Sequence, residues 1–321
     1  MPEIQNETMS TPTFPLQQPD PEIAFSAALD AFTVGSTRPE DVRALSDLSR
    51  DHRRRLLQAW PGLATDVRRE ITRVMDTLQR ANVDLLFGRA FRVALDDNDT
   101  IVRQRAIAGL WEDVSSDLKE RLLDLVQFDP STDVRAEAAR ALGRFAELAV
   151  EQDAAPGDAS DLRMTLLRIA GDETQHELVR CQAIEALGVF AGADVAALIQ
   201  DAYTSDEPSL MTAAVSAMGR SRSGAWLDSV MAVLDDEDIE LRQTAALACG
   251  QIGDAAAIAD LATAALDPDH DVRVAALNSL AAIGGKAAAR VLETAANDEE
   301  YADRDAASAA LNRIDDDAML A

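Results

Sequence analysis

Val272-Arg273-Val274-Ala275-Ala276-Leu277-Asn278-Ser279-Leu280-Ala281 decides the fold, because variants of it return along the chain at a nearly fixed interval. The same register holds VRQRAIAGLW from Val102, VRAEAARALG from Val134, VRCQAIEALG from Val179, LMTAAVSAMG from Leu210, LRQTAALACG from Leu241 and DRDAASAALN from Asp303. The arginines are Arg103, Arg135, Arg180, Arg242, Arg273 and Arg304, with Met211 in the slot once, at intervals of 32, 45, 31, 31, 31 and 31 residues. Such a period is the mark of a solenoid, whose units bury their apolar faces by stacking on one another. The long interval contains Glu151 to Asp161, a Pro/Gly/Asp-containing polar stretch, which reads as a loop inserted into an otherwise regular array.

Within each block, small or apolar residues recur three and four apart, as at Val134, Ala138, Ala141, Leu142 and Phe145, so the block reads as a helix with one buried stripe. Ahead of it lies another apolar periodic stretch, such as Leu118, Leu122, Leu125 and Val126, and an Asp/Pro/Ser turn such as Asp129 to Asp133 joins the two. Each unit is therefore expected to be a helical hairpin. Its many alanines suit close helix approach, since a helix with little side-chain volume admits the ridges of its neighbour. Gly143, Gly188, Gly219 and Gly250 close their blocks and read as helix terminators.

An aspartate stands six residues before the arginine in most units: Asp97, Asp129, Asp236, Asp267 and Asp298. The unit with Met211 has Ser205 in that slot, so the two are lost together, and Thr174 before Arg180 is an imperfect case. The joint loss points to a bond between Asp and Arg along the stack, where a guanidinium fork can hold carboxylate and carbonyl oxygens. Asp97, Arg103, Asp129, Arg135, Arg180, Asp236, Arg242, Asp267, Arg273, Asp298 and Arg304 are thus read as a structural ladder.

The Asp-to-Arg spacing, the Val-Arg-x-x-Ala-Ala-x-Ala-Leu-Gly core and the 31-residue unit resemble HEAT repeats, and in particular the short subtype of phycobilisome lyase-like proteins. The resemblance covers about residues 93 to 314 and implies an all-α superhelix of helical hairpins. It also implies a protein-binding scaffold more readily than an enzyme. Around this array the sequence suggests a disordered tail over residues 1–20, a diverged helical cap over 21–92, a loop over 151–161 and an acidic tail over 315–321. Thr65-Asp66-Val67-Arg68 begins a degenerate unit inside the cap.

The chain has 321 residues and a net charge of −27, and Lys119 and Lys286 are the only lysines among its 30 basic residues. This bias suits a GC-rich prokaryotic genome or a salt-adapted proteome, and speaks first to solubility. It argues against general nucleic-acid binding, where phosphate contacts supply most of the affinity. The absence of an 18-residue apolar run and of a basic-then-apolar start predicts a cytoplasmic protein that does not insert into membranes. Residues 38 to 92 are the basic exception, with twelve arginines against eight acids, centred on Arg53, Arg54 and Arg55. Of the two cysteines, Cys249 takes an apolar slot, whereas Cys181 falls on a row expected to be exposed.

The search for chemistry yields no catalytic residue, cofactor or metal site. His52, His176 and His270 lack ligand partners at useful spacing, and the single His176-Glu177 pair does not resemble the paired His-Glu iron ligands of deoxyhypusine hydroxylase. Asp235 to Asp238 and Asp315 to Asp317 lack the glycine and terminal glutamate of a calcium loop. What remains is a surface. Positions one, five and nine after the arginine share a helix face, and this row is spared of acid relative to the chain. Arg140, Arg144 and Arg220 on it, with Arg53, Arg54 and Arg55 on the cap, are the residues expected to contact a protein partner. A bilin lyase-like or other enzymatic role is the alternative, and binding of an anionic surface by the arginine cluster is a third reading.

Overall fold

The computed structural model describes residues 20–151, 156–298 and 302–320. They form eighteen α-helices and no strand, the arrangement of an all-α solenoid of hairpins. The chain divides into two compact units after Leu110. None of its described helices is long and apolar enough to cross a membrane.

The first unit holds α1 (Pro21–Thr33), α2 (Pro39–Arg43), α3 (Arg50–Ala59), α4 (Thr65–Ala81), α5 (Gly88–Ala94) and α6 (Thr100–Gly109). Phe25, Phe32, Leu45, Leu56, Ile71, Met75, Phe87 and Phe91 are fully buried in it. Asp20, the one described residue of the expected N-terminal tail, caps α1 by accepting from the Glu22 amide at 2.8 Å. The Arg103 helix, read from sequence as the start of the array, belongs to this unit.

The second unit is a run of six hairpins: α7 (Ser116–Phe128) with α8 (Thr132–Glu151), α9 (Pro156–Gly171) with α10 (Glu177–Leu187), α11 (Ala193–Tyr203) with α12 (Pro208–Arg220), α13 (Leu227–Met231) with α14 (Ile239–Ile252), α15 (Ile258–Ala264) with α16 (His270–Ile283), and α17 (Gly285–Asn297) with α18 (Arg304–Leu320). The second helices α8, α10, α12, α14, α16 and α18 pack in sequence on one another. Two sequence expectations shift here. Glu151 belongs to α8 and Pro156 to Asp161 open α9, so the expected loop shrinks to residues 152–155, which lie outside the described residues. The backbone of residues 315–320 continues α18 in place of a tail. Proline explains the first change, because it is tolerated in the first turn of a helix, where its missing N–H costs nothing.

The block glycines do not end their helices as expected. Gly143, Gly219 and Gly250 lie inside α8, α12 and α14, and Gly188 caps α10 in the right-handed region. They serve packing. A Cβ added at Gly188 would stand 2.8 Å from Ala217 Cα, one at Gly219 2.7 Å from Ala248 Cα, and one at Gly250 2.7 Å from Ser279 Cα. Each glycine therefore receives the backbone of the next second helix at the same register. The left-handed terminator of α14 is Gly253, at φ 76°.

Candidate partner-binding surface

The ladder comes first, because it sets the spacing of the surface residues. In each well-formed turn the leading aspartate folds its carboxylate back onto the amide two residues on: Asp97 onto Asp99 at 2.8 Å, Asp129 onto Ser131 at 2.9 Å, Asp236 onto Asp238 at 2.9 Å and Asp267 onto Asp269 at 2.8 Å. The arginine six residues later binds the carbonyl of that aspartate: Arg103 to Asp97 at 2.8 Å, Arg135 to Asp129 at 2.9 Å, Arg242 to Asp236 at 2.8 Å and Arg273 to Asp267 at 2.9 Å. The carboxylate itself is met by the preceding arginine. Arg242 Nε and Nη2 reach both oxygens of Asp267 at 2.8 and 3.0 Å. That guanidinium holds the Asp267 carboxyl below its ordinary range against the opposing pull of burial.

The same geometry appears where the sequence pattern is weak. In the first unit, Arg68 Nε lies 2.7 Å from Asp97 Oδ2 with its hydrogen directed off that oxygen, while Nη2 donates to Oδ1 at 3.2 Å. Trp60 Nε1 adds a bond to Asp97 at 2.6 Å, and Arg69 pairs with Asp99 at 2.6 Å. In the second unit Arg135 donates to Gln175 at 3.2 Å, an amide in the place of the carboxylate, and Asp172 makes the turn that Thr174 was expected to lead. Arg273 pairs with buried Asp303, five residues beyond the expected Asp298. Arg180 binds the Ala170 carbonyl at 3.1 Å, and Arg304 is exposed at the start of α18.

The candidate row is only partly a surface. Its first positions, Ala136 and Cys181, are buried beneath the stacked helices, which corrects the expected exposure of Cys181; desolvation pushes that thiol up to about 11 and that of Cys249 to about 12. Arg144 donates to the Trp111 carbonyl and, at 3.0 Å, to that of Asp113, and lies over the Phe145 ring at 5.2 Å. Burial lowers its pKa. Arg220 pairs with Glu147 at 3.0 Å and reaches the Gly143 carbonyl at 3.4 Å, joining α12 to α8. These two arginines brace helices. Arg140 is paired with Glu137 yet keeps 57% of its side chain exposed.

Around Arg220 a cleft of about 300 Å³ is lined by Glu147, Val150, Val189, Arg222 and Gln251. A second, of about 260 Å³, is lined by Glu185, Thr212, Ser216, Glu240, Leu247 and again Gln251, so the two meet at that residue. Glu185 is half-buried there, and desolvation raises its pKa despite Arg220. Glu185 and Gln251 went unsingled in the sequence, because polar residues on an amphipathic helix ordinarily mark a solvated face.

The cap arginines do not form one patch. Arg55 is committed to Glu22 and to Ser26 at 2.9 Å and lies over Phe25, Arg54 pairs with Asp51, and Arg53 is exposed without an ion pair among the described residues. Of the histidines, His52 stacks on Phe25 and meets Glu22 at 2.8 Å, His176 caps α10, and His270 meets Asp303 at 2.6 Å.

Known proteins share this architecture. Yeast importin-β (Kap95p) aligns with a TM-score of 0.51 at 13% identity, over 91% of this chain and 46% of that one. The E. coli protein YibA aligns at 0.45 and 18% identity, over 85% and 95% of the two chains, and the CpcE–CpcF complex of phycocyanin lyase from Nostoc at 0.49 and 19%, over 96% and 99%. No curated protein matches the sequence. The sequence itself matches HEAT repeats at residues 89–167 and 227–312, together more than half its length. With hairpins whose second helices stack through Gly/Ala contacts and whose turns are tied by arginine, this chain belongs to the HEAT repeat family.

Proposed function

We propose that this protein is a non-enzymatic HEAT-repeat scaffold that binds a protein partner along the second helices of its second unit. The observation that carries the reading is the pair of clefts meeting at Gln251, which lays charged, polar and aliphatic side chains of α8, α10, α12 and α14 side by side on a rigid backing. Such a surface, large and mixed in character, suits an extended segment better than a small substrate. Arg140 is the accessible cation at its edge and receives an acidic side chain of the partner, and exposed Arg53 of the cap is a second contact. The test is a photo-crosslinker placed at Gln251 and, as a control, at exposed Asp228 of α13, in the organism from which the chain comes. A protein captured at Gln251, absent at Asp228 and weakened by Arg140→Glu, is the expected result. A tetrapyrrole or metal bound by the purified protein, or turnover of a substrate, would replace this reading with the enzymatic one.

A further inference from the structure

One rung of the ladder is open, and both of its acceptors are in place. Met211 occupies the arginine slot at the start of α12. On the downstream side, Asp236 keeps its turn, with Oδ1 accepting from Asp238 at 2.9 Å, but its carboxylate receives no guanidinium among the described residues. On the upstream side, the Ser205 carbonyl, equivalent to the Asp236 carbonyl taken by Arg242, accepts no hydrogen bond among the described residues; Ser205 Oγ completes the turn by accepting from Glu207 at 3.1 Å. The space between is an open cleft of about 530 Å³, lined by Ser205, Pro208, Met211, Asp236, Glu237 and Asp238.

The next rung shows, independently of the acidic composition, what such an acceptor set holds. One residue slot later in the repeat, Arg242 spans the Asp236 carbonyl and both carboxylate oxygens of Asp267, at 2.8, 2.8 and 3.0 Å. A planar fork satisfies that arrangement and an ammonium does not, because its three donors point to the corners of a tetrahedron. The thioether of Met211 offers no donor and leaves an apolar floor on which the methylenes of an arginine can lie.

We infer that this cleft receives an arginine side chain from a partner protein, its guanidinium placed between the Asp236 carboxylate and the Ser205 carbonyl. The inference rests on the scaffold reading in that a protein supplies the arginine, but it concerns a different surface from the clefts at Gln251. The probes are the tripeptide acetyl-Gly-Arg-Gly-amide and its lysine counterpart, titrated against the full chain by NMR. The arginine peptide is expected to shift resonances of the 205–211 and 236–241 segments, and the lysine peptide to bind about tenfold more weakly or less. Asp236→Asn should weaken the arginine peptide by about tenfold or more. Met211→Arg should abolish binding by supplying the missing guanidinium internally, and should raise the melting temperature, which separates occupancy from misfolding. Equal binding of the two peptides, no binding at millimolar concentration, or undiminished binding to Met211→Arg would each overturn the inference. Arg140→Glu should leave the titration unchanged; its effect on the Gln251 crosslink judges the scaffold reading separately.

Discussion

At the scale of single residues, the ladder aspartates matter because each serves two helices. Asp97 is the most buried instance, with its carboxylate shared by Arg68 and Trp60 and its carbonyl held by Arg103. Removing Arg68 leaves a buried carboxylate without its counter-charge, so Arg68→Met should cost about 3–5 kcal/mol in urea unfolding. Exposed Arg53→Ala should stay within about 0.5 kcal/mol. Glu22 offers a second test. Arg55 and then His52 hold its carboxyl down to about 2, far below its ordinary value of about 4.3. A depressed folded value means the contribution is present at neutral pH and is lost as pH falls from about 4.3 toward 2. Glu22→Gln should therefore be less stable than the wild type at pH 7 and converge on it near pH 2. The aspartates and arginines were legible in the sequence because both residue types and their spacing repeat. Their pairing was not: spacing along the chain does not say whether an arginine takes its own turn's carbonyl or its neighbour's carboxylate. Gln175 and Asp303 were invisible because one changes the residue type and the other the register.

At the scale of the helix, the repeated glycines carry the information that the sequence left ambiguous. A glycine can end a helix or admit a neighbour's backbone, and composition cannot choose between the two. Here Gly188, Gly219 and Gly250 each meet the next second helix within a distance that no Cβ would allow. Gly219→Ala would press a methyl group into Ala248 and should cost about 1–3 kcal/mol by overpacking, read as a lower denaturation midpoint. Gly253→Ala should also destabilise, for a different reason, because its left-handed φ strains a residue bearing a Cβ. The two can be told apart by a second substitution. Shortening the neighbour with Ala248→Gly should relieve Gly219→Ala and leave Gly253→Ala unchanged. The same packing explains the misread exposure of Cys181: the first position of each row turns toward the adjacent helix. Only the fifth and ninth positions contribute to the surface around Gln251.

At the scale of the whole molecule, charge is the dominant collective term. A net charge of −27 means that self-repulsion opposes the compact state, while the ladder carboxylates are neutralised by short contacts that salt screens less. The melting temperature should therefore rise between low and molar sodium chloride; a flat or falling trend would show that the acidity carries no such load. Within the second unit the open rung has a mechanical meaning. The ladder ties one edge of the stack, whereas the Gly219 to Ala248 contact locks α12 to α14 along another line. Where Met211 leaves the tether out, that contact becomes a pivot, and the turns at Ser205 and Asp236 form the free lips of a notch. Bending is then localised and directional, as in a scored beam. Spin labels on those two turns should give a broader distance distribution than labels spanning the intact Asp236 to Asp267 rung, and Met211→Arg should narrow it.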